Sequence, residues 1–198
     1  MRRAVAAAVA LAAGAVLSAC SSDSGSQSSA VPPPSTSGPA ALLLTEPPAG
    51  FQLTLDSALN LAQASIATPA AQAATAEALR SAGFSAGQER VWSKGDEHVT
   101  DLVLELDTDV DAAAFVQFES RQIGASPAAA LSTDASIPAS VAFSLYGLTR
   151  QGSHQSFCQG VWFPAAAKAF ELLDCAGSPR YPNFVQGLAQ QQYARASA

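Results

Sequence analysis

The chain has 198 residues, of which 13% are charged, and its formal net charge is −6. An acidic chain with only 10 Lys and Arg residues lacks the basic patch that nucleic-acid binding requires, and it gains nothing from anionic lipid headgroups. We therefore expect no nucleic-acid partner.

The N-terminus predicts a secretory signal peptide over residues 1–19. Arg2 and Arg3 supply the positive start, and an uncharged apolar run, 4–16, follows them. This run is shorter than the roughly 20 apolar residues that a membrane-spanning helix needs. We therefore expect the segment to direct export of the chain rather than to span the bilayer.

The end of this segment, Leu17-Ser18-Ala19-Cys20, resembles the bacterial lipobox. In signals of this kind a diacylglycerol is joined to the cysteine sulfur, and cleavage makes the cysteine the first residue. The resemblance implies that Cys20 is lipidated and anchors the protein to the extracytoplasmic face of the cell membrane. Each buried CH₂ contributes about 0.8 kcal/mol, so an anchor with two chains is physically sufficient. The alternative is an ordinary signal peptide with a chance cysteine.

Residues 20–40 predict a disordered tether. They are mostly Ser, Pro, Gly and Thr without a hydrophobic period, so they cannot bury enough surface to offset the loss of chain entropy. The prolines at 32–34 make the tether stiffer at that point. Residues 41–198 are of ordinary size for a single folded domain.

The first half of this domain is expected to be mixed in structure. Apolar segments at 42–44 and 51–55 begin it, and residues 59–66 have no clear pattern. A helix is predicted over 70–81, because Thr68 suits its N-cap, Pro69 its first turn and Gly83 its end.

Two strands are expected after that helix, over 88–93 and 98–107, with a turn at 94–96. In the second strand an apolar set alternates with an acidic set, so one face is expected to be apolar and the other acidic or solvated. The apolar set is Leu102, Leu104 and Leu106, and the acidic set is Asp101, Glu105 and Asp107.

In the second half, Asp109 is suited to cap a helix that ends at Gly124, and a loop is expected over 126–140. A strand over 142–150, a hairpin of two strands and a closing helix over 183–196 follow. The predicted order is α-β-β-α-β-β-β-α. The fold class is therefore α+β: a two-layer sandwich of an antiparallel sheet with helices on one face.

Cys158 and Cys175 predict a disulfide bond. An exported chain lies in an oxidising compartment, and the midpoint of the pair falls between Ala166 and Ala167, inside the predicted hairpin turn. The alternative is a redox or metal-binding pair, although the sequence contains no C-x-x-C motif. We expect a structural disulfide, no metal site and no cofactor.

Ser85 lies in a G-x-S-x-G motif at 83–87, which is typical of some hydrolases. Those enzymes place the serine on a strand-to-helix turn, whereas here a helix is predicted before it and a strand after it. The base could only be His98 or His154. We interpret the motif as a helix end and a turn, and we expect no catalytic residues and no enzymatic activity.

The acidic run 107–111 resembles the first half of a calcium-binding loop. Such a loop requires glycine and glutamate at positions where this chain has Ala112 and Phe118. We interpret the run as a strand end followed by a helix N-terminus, where acidic side chains are favourable.

Several aromatic residues could line a ligand groove, but on strands and an amphipathic helix they are more typical of a core. They are Trp92, Phe115, Phe118, Phe143, Tyr146, Trp162, Phe163 and Phe170. Trp162 is the best candidate for an exposed contact, because it lies beside Pro164 near the predicted hairpin tip.

Four stretches of the domain resemble a group of actinobacterial exported lipoproteins: AGFSAGQERVW, DAAAFVQF, ASIPASVAF and QQYARA. The resemblance covers most of the region from about Leu42 to the end of the chain. Its most characteristic positions are Gly83-Phe84, Trp92 and Gln192-Tyr193-Ala194-Arg195. The group supplies no catalytic residues that could be carried over to this chain.

The sequence therefore predicts a membrane-anchored envelope lipoprotein that acts as a non-enzymatic binding or interaction module, with an unknown envelope protein as its partner. The alternative is a carrier of an apolar, lipid-like ligand in a pocket between sheet and helices. A carrier would need an apolar cavity of roughly 300–1,000 Å³. A hydrolase would need Ser85 beside a histidine.

Overall fold

A computed structural model describes residues 38–68, 71–146, 157–176 and 183–198. Its described residues form a short 3₁₀ helix, Gly38–Leu42, seven strands and four α-helices. The strands are β1 (Gln52–Leu59), β2 (Ala86–Lys94), β3 (Glu97–Glu105), β4 (Ala129–Ser132), β5 (Val141–Tyr146), β6 (Phe157–Ala165) and β7 (Lys168–Ala176). The α-helices are α1 (Leu61–Ala67), α2 (Gln72–Ser81), α3 (Asp109–Gly124) and α4 (Phe184–Ala196).

The strands form one sheet in the order β1-β2-β3-β7-β6-β5-β4, and every neighbouring pair is antiparallel. Two tight hairpins, β2–β3 and β6–β7, lie side by side in its centre. The predicted α+β class with an antiparallel sheet is confirmed. None of the helices in the described part of the chain has the length and apolar character that crossing a membrane requires.

The sheet is covered on both faces. One hydrophobic cluster joins it to α1, α2 and α3, and includes Leu79, Leu102, Phe115, Trp162 and Leu173. A second cluster joins the opposite face to α4 and to the chain before β1, and includes Leu43, Trp92, Val103, Phe163 and Val185. We call these the α1–α3 face and the α4 face. The expectation that all helices lie on one face is wrong for α4, because the central strands are apolar on both sides.

Strand β3 illustrates this correction. Its predicted acidic or solvated face contains Asp101, which is fully buried, together with Val99 and Val103, which have no exposed surface. The leucines of the other face pack under α1–α3. Two apolar faces on one strand indicate a strand at the centre of the sheet that is covered on both sides.

The predicted start of α2 is wrong. Thr68 is the C-cap of the preceding helix α1, and α2 begins at Gln72 with Ala71 as its N-cap. Pro69 lies outside the described residues. Helix α1 itself begins with a capping box, in which Asn60 and Gln63 each accept a hydrogen bond from the backbone N–H of the other.

The predicted end of α2 at Gly83 is confirmed. Gly83 has a φ of +67°, its N–H donates to Arg80, and the Phe84 N–H donates to Leu79, which is the hydrogen-bond pattern of a Schellman motif. A Cβ at this position would lie 2.1 Å from the carboxyl carbon of Asp107. The glycine is therefore required both by its dihedral angle and by this close approach.

Three further expectations need adjustment. Helix α3 is capped by Thr108, whose Oγ1 accepts from the Asp111 N–H, and Asp109 is its first residue rather than its cap. The predicted loop over 126–140 contains β4. The predicted strand over 142–150 is observed as β5, Val141–Tyr146, and the remainder lies outside the described residues. Strand β1 and helix α1 were not predicted, because their segments are short and weakly patterned.

Candidate functional site

The last residue of the 3₁₀ helix and the bends that follow it lie on the α4 face without pairing to any strand. We call residues 42–45 the strap. Leu43 and Leu44 are buried, with 0% and 7% of their surface exposed. The strap approaches β2, β3 and α4, and side chains from these three elements contact its backbone.

Two buried side chains hold Leu44 on the sheet side. The Leu44 N–H donates to Asp101 Oδ2 over 2.8 Å, and Arg90 donates from a guanidinium nitrogen to the Leu44 carbonyl over 2.7 Å. Arg90 also forms an ion pair with Asp56 over 3.0 Å. Both polar groups of the Leu44 backbone are therefore bound by charged side chains of neighbouring strands.

Helix α4 holds the strap from the other side. The Gln192 side-chain amide lies 3.5 Å from the Leu42 carbonyl, and Arg195 donates to the Leu43 carbonyl over 3.1 Å. Arg195 also lies 3.4 Å from the Thr45 hydroxyl. We call Arg90, Asp101, Gln192 and Arg195 the clamp. Its four side chains bind three consecutive carbonyls and one N–H of the strap.

The clamp contains a carboxylate with an altered pKa. Burial raises the pKa of Asp101 to about 7, although the Leu44 N–H, Gln192 and the charges of Arg90 and Arg195 act in the opposite direction. A buried carboxylate and a buried guanidinium are costly to desolvate, and each is tolerated because hydrogen bonds and an opposite charge compensate it. The strap supplies part of that compensation.

The clamp was not predicted from the sequence. The signal that could have indicated it is the two-residue spacing of Arg90 and Trp92 on β2, which places the arginine on the same face of the strand as a core tryptophan. Gln192 and Arg195 did belong to a stretch noted for its resemblance to exported lipoproteins. Their contacts join residues 150 or more positions apart, so no local pattern could have placed them together.

A second buried carboxyl lies on the α1–α3 face. Glu119 of α3 is fully buried and accepts a hydrogen bond from the Thr75 hydroxyl over 3.4 Å, and Thr68 donates in turn to Thr75. Its other oxygen, Oε2, has no hydrogen-bond partner among the described residues. Burial raises the pKa of Glu119 to about 8. The group is therefore held as a neutral acid at neutral pH, between α3 and the α1–α2 pair.

The outer surface of the α1–α2 pair forms an open groove with a volume of about 350 Å³. Its walls are mostly apolar, and the polar groups at the rim include Arg80, which is paired with Glu77. The lining residues are Leu61, Ala62 and Ser65 of α1, and Gln72, Ala73, Ala76 and Arg80 of α2. Most of its lining residues are at least partly exposed, so this groove lies on the outside of the helix layer.

The structure does not bring Ser85 to His98. Ser85 pairs with Glu105 at one end of the β2–β3 hairpin, and His98 lies at the other end. Seven residue steps along β3, from 98 to 105, separate them by about 23 Å at the usual strand rise. His154 lies outside the described residues. Instead, His98 contacts Ser93, with 2.9 Å between Nδ1 and Oγ, on an exposed part of the hairpin.

Trp162 is not an exposed contact, and that prediction is wrong. It has 0% of its surface exposed and packs edge-on against Phe115 of α3, with ring centroids 5.8 Å apart. Strand β6 lies between β5 and β7, and Trp162 is opposite Glu171, several residues from the turn at Ala166. The hairpin is long enough to carry this tryptophan into the core. Among the aromatic residues that the structure describes, Tyr146 is exposed, at 63%.

Cys158 and Cys175 are joined by a disulfide bond in the structure. They face each other in the register of β6 and β7, and the turn falls at Ala166 and Ala167 as the spacing predicted. The bond fixes the open end of the hairpin.

Cys20 lies outside the described residues, so its lipidation stays a prediction. No cluster of three or more metal-binding side chains occurs in the described residues.

The fold is similar to that of a solved structure. The chain resembles the extracellular domain of PknH from Mycobacterium tuberculosis with a TM-score of 0.52 and 17% sequence identity, over 80% of this chain and 92% of that domain. At this identity the likeness establishes a shared fold alone. No protein-family model and no curated protein matches the chain.

Proposed function

We propose that this chain is a lipid-anchored protein of the extracytoplasmic membrane surface, whose α+β domain binds a partner and catalyses no reaction. The observation that carries the proposal is the fold, because a structure of similar architecture is the extracellular domain of a mycobacterial protein. The signal-like N-terminus with Cys20 in a lipobox-like position supports the same location.

The proposal of a binding role, rather than a hydrolase, rests on how the described serine and histidine side chains are arranged. Ser85 and His98 lie at opposite ends of one hairpin, and the Ser93–His98 contact lies on an exposed strand surface. A serine nucleophile needs a base that a third group orients and donors for the developing oxyanion. The other side chain beside Ser93 is Thr54, whose hydroxyl lies 2.9 Å from the serine oxygen.

The anchor is tested by mass spectrometry of the protein extracted from its own membrane. We expect the mature chain to begin at Cys20 with a diacylglycerol on the sulfur, and the variant Cys20→Ser to be lost from the membrane fraction. A mature chain with an unmodified Cys20 would contradict the anchor.

A second candidate function is the transport or presentation of an apolar ligand. It is favoured by the groove on α1 and α2, whose volume of about 350 Å³ lies at the lower end of the range for small-molecule sites. Organic extraction of the native protein should then release a lipid-like molecule. The variant Ala73→Trp would fill the groove and reduce the yield of that molecule, whereas Ala114→Trp, on the exposed side of α3, would not.

A further inference from the structure

We propose that the Cys158–Cys175 disulfide is a site of reversible thiol–disulfide exchange, which a small thiol reduces at Cys175, and that His98 stabilises the thiolate released there. This exchange is additional to the proposed binding function and independent of it. The site is a row of side chains that crosses the sheet from the core to the surface. We call Cys158, Cys175, His98 and Ser93 the cysteine row.

The residues of the cysteine row lie directly opposite one another on neighbouring strands. Cys158 of β6 pairs with Cys175 of β7, and Cys175 pairs in turn with His98 of β3. On its other side His98 pairs with Ser93 of β2. Residues opposite one another in a sheet point to the same face, and their Cβ atoms lie about 4.5–5.5 Å apart. His98 is therefore the immediate neighbour of Cys175 on the side away from Cys158.

Burial decreases along the cysteine row. Cys158 has 0% of its surface exposed and belongs to the hydrophobic cluster of the α1–α3 face. Cys175 is half-buried, and His98 is exposed. Of the two cysteines, Cys175 is therefore the one that a small thiol can approach, from the side of His98. The sulfur of Cys158 is shielded by the core.

His98 is positioned beside Cys175 by the polar end of the row. Its Nδ1 lies 2.9 Å from Ser93 Oγ, and Ser93 Oγ lies 2.9 Å from the Thr54 hydroxyl of β1. With Nδ1 engaged by Ser93, Nε2 is the ring nitrogen that can exchange a proton. Imidazole exchanges protons near neutral pH, and an imidazolium beside a cysteine favours the thiolate over the thiol. The surroundings of Cys175 therefore favour a thiolate, whereas those of Cys158 favour a neutral thiol.

Reduction proceeds in two steps. A first thiolate attacks Cys175 Sγ, the S–S bond breaks, and the Cys158 sulfur leaves with the electron pair and takes up a proton. A second thiolate attacks the sulfur of the first thiol in this mixed disulfide, so that Cys175 is released as a thiolate beside His98. The two small thiols end as one disulfide, and two electrons and two protons have passed to the protein.

The ladder between β6 and β7 makes this exchange reversible. The two strands pair over all nine residues of each, and they lie between β5 and β3 in the sheet. Main-chain hydrogen bonds and the core therefore hold the strands together without the disulfide. Cys158 and Cys175 stay opposite each other after reduction, and the disulfide form of the small thiol can oxidise them again.

The test uses the mature full-length chain with Cys20→Ser, in which Cys158 and Cys175 are the remaining cysteines. The folded protein is equilibrated with glutathione buffers at neutral pH, and free thiols are alkylated and located by peptide mass spectrometry. Fluorescence of the buried Trp92 and Trp162 reports whether the domain stays folded. A second measurement follows the rate at which each reduced cysteine reacts with iodoacetamide as a function of pH.

We expect glutathione to reduce at least about a tenth of the folded protein, because exposed disulfides are reduced more easily than structural ones. In the reduced protein, Cys175 should react about tenfold faster than Cys158, since the thiolate is the reactive form. His98→Gln should slow the reaction of Cys175 severalfold at neutral pH and shift its pH profile upwards. The control Lys94→Gln should change neither, because it removes an exposed positive charge on the opposite face of the β2–β3 hairpin.

Three results would overturn the proposal. In the first, the disulfide resists glutathione and is reduced only after urea has unfolded the domain, which would make the bond purely structural. In the second, the reduced domain loses its native tryptophan fluorescence, so that reduction is not a reversible step of the folded protein. In the third, Cys175 reacts in His98→Gln as it does in the native chain at every pH, which would leave His98 without a part in the exchange.

Discussion

The two faces of the sheet each bury a carboxylic acid, and they surround it differently. On the α1–α3 face, Glu119 meets the Thr75 hydroxyl, and burial keeps it neutral at physiological pH. On the α4 face, Asp101 meets a backbone N–H of the strap and the charges of two arginines, which limit the rise in its pKa. Burial therefore raises the pKa of both carboxyls, although one lies beside a hydroxyl and the other beside a backbone N–H and two arginines.

The largest expected effect comes from removing the central cation of the α4 face. Arg90→Met leaves Asp56 and the Leu44 carbonyl without their guanidinium contact, and it removes a positive charge that acts on Asp101. Removing one partner of a buried charged network lowers the free energy of unfolding by roughly 3–5 kcal/mol. Urea unfolding followed by tryptophan fluorescence measures this loss.

The matched control is Arg121→Met, because Arg121 is exposed on α3 and should change stability by less than about 0.5 kcal/mol. If Arg90→Met proved as stable as this control, the clamp would contribute nothing to the fold and the contrast between the faces would fail.

The next effect is a pH dependence on the α1–α3 face. The folded protein keeps the Glu119 proton up to a pKa of about 8, whereas the ordinary value of the group is 4.5. The folded state therefore binds more protons between these values, so the free energy of unfolding falls as pH rises from about 4.5 to 8 and is then constant. The upper bound of this loss is about 5 kcal/mol.

Glu119→Gln removes that dependence, because the amide is neutral at every pH and can still accept from Thr75. We expect the variant to match the native chain near pH 4.5 and to be more stable by a few kcal/mol at pH 9, in urea unfolding at both pH values. The exposed control Glu77→Gln should leave the pH profile unchanged. If the free energy of unfolding changed with pH in the same way in the native chain and in Glu119→Gln, the pKa of Glu119 would not be raised.

A third effect tests how closely the α1–α3 face is packed. A Cβ at Gly160 would lie 2.2 Å from the ring of Phe143 on the neighbouring strand. Because the Phe143 ring is buried in the hydrophobic cluster of this face, it cannot move away freely, and Gly160→Ala should destabilise the domain by about 1–3 kcal/mol. Thermal unfolding measures this, and a melting temperature equal to the native one would mean that the ring relaxes without cost.

Features that depend on residues close together in the chain could be predicted from the sequence. The spacing of Cys158 and Cys175 located the turn of the β6–β7 hairpin, and Gly83 located the end of α2, because each depends on residues close in the chain. The strap was recognised only as an apolar segment, since its partners are 46 to 152 positions away. Trp162 was misplaced for a related reason: its burial depends on which strands flank β6, and the strand order is a property of the whole sheet.

The smallest expected change in stability concerns helix α4, which supplies Gln192 and Arg195 to the clamp. A Cβ at Gly187 of this helix would meet no atom within 4 Å. Gly187→Ala should therefore raise the free energy of unfolding by up to about 1 kcal/mol, because alanine loses less conformational freedom in a helix than glycine does. Urea unfolding compares it with Gly160→Ala, the same substitution on the opposite face. If both substitutions lowered the free energy of unfolding, α4 would be packed as closely as β6, and a methyl group at Gly187 would not fit.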